Sequence, residues 1–103
     1  MKLGILTNVV CDRSLEEALR YFSDMGLEMA EIGCGGTPGI HHCDPEVLLH
    51  DEAALDAFRG LFEKYHMGIS ALSCHGNPVH PVQAIADRYD AIMRNAVLLA
   101  EKL

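Results

Sequence analysis

Three times along the chain a short apolar run of strand character gives way to apolar residues at helical spacing, and this alternation restricts the fold more than any other property. Residues 2–7 (KLGILT) read as a short strand. Ser14, with Glu17 three positions on, forms a capping box that opens a helix. Leu15, Ala18, Leu19, Phe22 and Met25 then share one face of that helix, and Gly26 suits the position just past its end. In the second unit, 28–33 (EMAEIG) is the strand. Leu55, Phe58, Leu61, Phe62 and Tyr65 form the buried face of a helix capped by Asp51 and ended by Gly68. The third unit has a strand at 69–74 (ISALSC) and a long helix from about Val82, with Ile85, Tyr89, Ile92, Met93, Ala96, Val97 and Leu103 on one side. Strands alternating with amphipathic helices predict an α/β fold whose parallel strands are joined by right-handed crossovers.

With 103 residues, half of them hydrophobic, the chain makes one domain with a modest core. A complete eight-unit barrel needs about 250 residues. The net charge of -7, with no cluster of Lys or Arg, argues against duplex nucleic acid and anionic membrane as partners. No apolar run approaches the roughly 20 residues of a membrane span, and no basic stretch leads into one, so a cytoplasmic location is expected. Cys11, Cys34, Cys43 and Cys74 are widely spaced without a CxxC pair, and reduced thiols are expected.

Loop lengths point to a functional end. The helix-to-strand connections are about two residues long, whereas the strand-to-helix connections at 8–13, 34–50 and 75–81 are longer. All the long loops therefore meet at the carboxyl end of the sheet, where parallel α/β folds bind ligands. Cys34, His41, His42, Cys43 and Asp44 lie in the second loop and His75, Asn77 and His80 in the third. Histidine and thiolate suit zinc and similar divalent metals, yet neither HHC nor CHGNPVH has the spacing of a closed structural zinc site. Solvent-facing histidines and small buried thiols are the plainer reading.

His75 stands out because it immediately follows the third strand, where a side chain points over the mouth of the sheet. Strand alternation then places Ser73, Ala71 and Ile69 on its face and Leu72 toward the helices. Glu31, inside the second strand, is costly on an apolar face without a partner, so it either contacts a ligand or pairs with a neighbouring strand. The glycines of 33–39 do not make a dinucleotide fingerprint, since the third glycine of GxGxxG falls on Pro38 and no helix begins there.

The runs AEIGCGG (30–36), HHCDP (41–45) and above all ISALSCHGNPVHP (69–81) resemble the opening of the xylose isomerase-like TIM barrels. Within that superfamily the chain is most similar to the sugar phosphate isomerases/epimerases. The resemblance spans all 103 residues and covers the first three strand–helix units. It implies a (βα)3 segment of a barrel in which a divalent metal (Mn, Mg, Co or Zn) holds a sugar or sugar phosphate while carboxylates move a proton beside its carbonyl. The principal metal-binding residues of such barrels sit on later strands. On this segment the resemblance carries over Glu31 and His75 as substrate- or metal-facing residues, His75 as the metal ligand, with His41, His80 and Asn77 as lesser loop candidates.

Other readings of the same residues are a lyase or dehydratase on the same barrel, or a metal-dependent endonuclease. A further alternative is a small stand-alone α/β module that binds a metal or small molecule. That module would have strand order 2-1-3 with helices on both faces, against 1-2-3 with helices on one face for the barrel segment. A barrel segment alone also exposes an apolar sheet face and two free edges, so it is expected either to self-associate or to fold marginally. A stable cooperative monomer by light scattering would count against it.

Overall fold

The structure, a computed structural model, describes residues 1–103. Its order is β1 (Gly4–Leu6), a 3-10 turn (Thr7–Val10), α1 (Leu15–Asp24), β2 (Met29–Gly36), α2 (Pro45–His50), α3 (Glu52–Lys64), β3 (Gly68–His75) and α4 (Gln83–Lys102). The three strands form one parallel sheet in the order β1-β2-β3. Ala30, Ile32 and Cys34, alternate residues of β2, are all buried in a single core with Ala18, Leu19 and Phe22 of α1, Leu55, Phe58 and Phe62 of α3, and Ala96 and Leu99 of α4. Side chains of one parity point to one face of a strand, so the helices cover that face and leave the other open. This is the (βα)3 arrangement, and the 2-1-3 alternative is excluded.

The first helix forms as its sequence dictates. Ser14 Oγ accepts from the Glu17 amide while the Glu17 carboxylate accepts from the Ser14 amide at 3.0 Å, closing the capping box. At the other end Leu27 N–H donates to Phe22 O and Gly26 N–H to Ser23 O, with Gly26 at φ 82°. That is the left-handed stop expected of glycine. Asp51 caps α3 through its side chain, which accepts from Ala54 N at 3.0 Å. Lys64 and Tyr65 both donate to Glu16 Oε1, at 2.5 and 2.9 Å, tying the end of α3 to the start of α1. These two bonds hold the Glu16 carboxyl below its ordinary range.

Several boundaries differ from the sequence reading. β1 is three residues long because the chain turns at Thr7. The stop after α3 is His66, at φ 54°, and Gly68 instead begins β3. The second long loop is partly helical: Asp44 Oδ1 accepts from Glu46 N at 3.0 Å and Pro45 occupies the first turn of α2. Ile69 does not share the face of His75. It pairs with Ala30, while Ala71 pairs with Glu31, so a register shift between them turns Ile69 into the core. On α4 the buried residues are Ala86, Ala96 and Leu99, while Ile85, Met93, Val97 and Leu103 stand exposed. The expected apolar face thus has more surface than this sheet can cover.

Candidate functional site at the open face of the sheet

The register fixes which side chains share the open face. Leu6 pairs with Glu31, Glu31 with Ala71, Gly33 with Ser73 and Gly36 with His75. Glu31, Ala71, Ser73 and His75 therefore project from the side opposite the helices, with His75 at the carboxyl end. Glu31 is half-buried and takes no part in the three ion pairs of the chain, all of which are on the helices. The salt-bridged reading of Glu31 is thereby set aside. A cleft of about 310 Å³ wraps the free edge of β3, and Glu31, Ser73 and His75 line it with Leu72, Cys74 and apolar residues of α4.

Above this face the chain folds a strap. Asn8 Nδ2 donates to Pro38 O at 2.5 Å, and both residues lie directly over Gly33: a Cβ there would meet Asn8 Oδ1 and Pro38 Cβ at 2.8 Å. At Gly36, φ is 66° and a Cβ would run into the His75 carbonyl. Only glycine permits this close approach. Thr37 N–H then donates to His75 O at 2.8 Å, so the second loop is pinned to the end of β3 beside the candidate histidine.

The loop histidines do not converge on one point. His42 is buried between Thr7 Oγ1 (2.9 Å to Nδ1) and the Arg13 carbonyl (2.8 Å to Nε2). The carbonyl only accepts, so Nε2 carries the proton and the Thr7 hydroxyl donates to Nδ1. His42 thus clamps the second loop to the first. His41 is exposed beside Gly39. His80 Nδ1 accepts from Val82 N at 3.0 Å and Asn77 Oδ1 from Val79 N at 3.2 Å, so both shape the turn before α4. Buried Cys34 and Cys43 are pushed up to about 11 and about 12, chiefly by loss of hydration, and stay protonated near neutrality.

The donor set is too dispersed for a metal centre. No three His, Cys, Asp or Glu side chains are grouped to hold an ion. His75 lies four residues beyond Ala71, the partner of Glu31, which is roughly 13 Å along the strand at about 3.3 Å per residue. Glu31 and His75 can flank one extended ligand but cannot share one ion, and the segment by itself does not form a metal centre.

A second cleft of about 310 Å³ opens between α2 and α4, lined by Gly35, Gly36, Asp44, Glu46, Arg88 and Asn95 among others. Asn95 Nδ2 donates to Glu46 Oε1 at 2.5 Å across it. Of the loop residues singled out in the sequence, Cys34 and Asp44 face it, whereas Glu31, His41, His75, Asn77 and His80 do not. The structural residues that the sequence reading missed are Thr7, Asn8 and Ser73. Asn8 and Ser73 had a signal, one directly following the expected strand 2–7 and the other sharing the parity of His75, whereas the Thr7–His42 bond spans 35 residues and had none.

No protein-family model matches the chain, and no solved structure matches it. It is 30% identical over 105 residues to the uncharacterised protein YfiH of Bacillus subtilis (strain 168), an alignment covering 99% of this chain and 34% of that protein. The chain spans about a third of the length of this curated relative.

Proposed function

We propose that the chain is the N-terminal (βα)3 portion of a cytoplasmic, metal-dependent sugar or sugar phosphate isomerase/epimerase of the xylose isomerase-like type. The observation that carries the reading is the helix-free sheet face, on which Glu31 and His75 share one cleft at the strand ends where parallel α/β folds bind ligands. In sequence, the SCHGNPVHP stretch supports it, with its histidine at the end of β3. Glu31 and His75 would contact oxygens of the sugar at two points of its chain. The remaining metal-binding and proton-transfer groups would come from later strands, because this segment supplies at most His75 to a metal. No helix is long and apolar enough to cross a membrane.

The experiment is solvent isotope exchange by the complete protein. Incubated in deuterated water with Mn, Mg, Co or Zn and a panel of ketoses and their phosphates, it is expected to place deuterium on the carbon beside the carbonyl of at least one sugar, read by NMR. His75→Ala should slow that exchange about a hundredfold. A folded protein that exchanges none of the sugars with any of the metals would overturn the reading.

A further inference from the structure

Ser73 occupies an unusual position on the open face. It is 5% exposed, and its hydroxyl is the one buried side-chain polar atom in the chain without a hydrogen-bond partner. Buried hydroxyls are nearly always paired, because an unpaired one keeps its desolvation cost with nothing to offset it. The neighbours explain why no protein group reaches it. Its cross-strand partner is Gly33, which has no side chain, and the Asn8–Pro38 strap above Gly33 is satisfied within itself. Ser73 also lies between the two candidates, two residues before His75 and two beyond Ala71, the partner of Glu31. All three line the same cleft.

We infer that Ser73 Oγ is the central hydrogen-bonding contact for a polyhydroxylated ligand lying along the open face from Glu31 to His75. This rests on the reading of that face as the ligand side. Serine both donates and accepts, which suits a sugar hydroxyl, itself donor and acceptor. No Lys or Arg lines the cleft, so at this point it takes the neutral carbon chain of a sugar rather than its phosphate. The acceptor carboxylate at one end and the imidazole at the other give such a chain three successive polar contacts over the roughly 13 Å already set by the strand.

In the complete protein, Ser73→Ala is expected to raise KM for the exchanged sugar about tenfold with Tm unchanged, and Ser73→Thr to restore most of it. A fall in Tm with KM unchanged would make the hydroxyl structural and overturn the inference. Position 73 is also read without reference to turnover. In Ser73→Cys, methyl methanethiosulfonate should modify residue 73, located by peptide mass spectrometry, and excess D-fructose, D-ribulose 5-phosphate or glycerol should slow the modification. No modification, or no protection by any of the three, overturns the contact. Modification with protection in a protein that exchanges no deuterium would uphold the contact while the isomerase reading fails.

Discussion

His42 and His41 are adjacent and opposite in consequence. Removing the His42 ring leaves the Thr7 hydroxyl and the Arg13 carbonyl without their partner and opens a gap beside a fully buried threonine. His42→Ala should therefore lower stability by about 2–3 kcal/mol in urea titration, against less than about 0.5 kcal/mol for exposed His41→Ala. Equal effects would contradict the clamp. The buried thiols set a pH dependence. Cys43 is raised from 9.0 to about 12 in the folded chain, so above pH 9 the unfolded state sheds a proton that the folded state keeps. Stability should be level through neutrality and fall as pH rises from about 9 toward 12, and Cys43→Ala should flatten that decline. A decline as steep in the variant would place its origin elsewhere.

At the scale of elements, both helix ends entering the sheet use the same stop with different residues. After α1 the left-handed position is Gly26; after α3 it is His66, with Met67 N–H donating to Phe62 O and His66 N–H to Glu63 O in the same pattern. A side chain in that conformation costs about 1 kcal/mol. His66→Gly should thus stabilise the protein by roughly that amount in the same titration, and a loss of stability would show that the imidazole has a role of its own. The helices, their caps at Ser14 and Asp51 and the strand cores were legible because periodicity and capping are local. Three things were not. The stop at His66 lacked glycine, the residue that normally announces it. The twist of Ile69 away from the His75 face needs a register shift that only pairing with Ala30 and Glu31 defines. The cap of α2 was written in Asp44-Pro45-Glu46, yet the glycines before it made the whole segment read as loop.

Across the whole molecule, the two sides of the sheet differ in what they lack. The helix side is packed by one continuous core, while beyond it α4 leaves Met93, Val97 and Leu98 exposed beside the free edge of β3. Apolar surface next to an unpaired strand edge is what a further strand–helix unit would cover, and the relative that matches is about three times as long as the match. The site was legible in part: Glu31 and His75 do share a face and a cleft, but their separation along the strand and the structural duties of His42, His80 and Asn77 depend on register and turn geometry.

The ligand side of the sheet can be located by backbone amide NMR of the complete protein titrated with a ketose such as D-fructose. Saturable shifts should be largest at Glu31, Gly33, Ser73, His75 and Asn77, with Asp44, Arg88 and Asn95 of the α2–α4 cleft undisturbed. Shifts centred on that cleft, or on the helix-covered face, with the ends of β2 and β3 unmoved, would contradict the assignment of the open face as the binding surface.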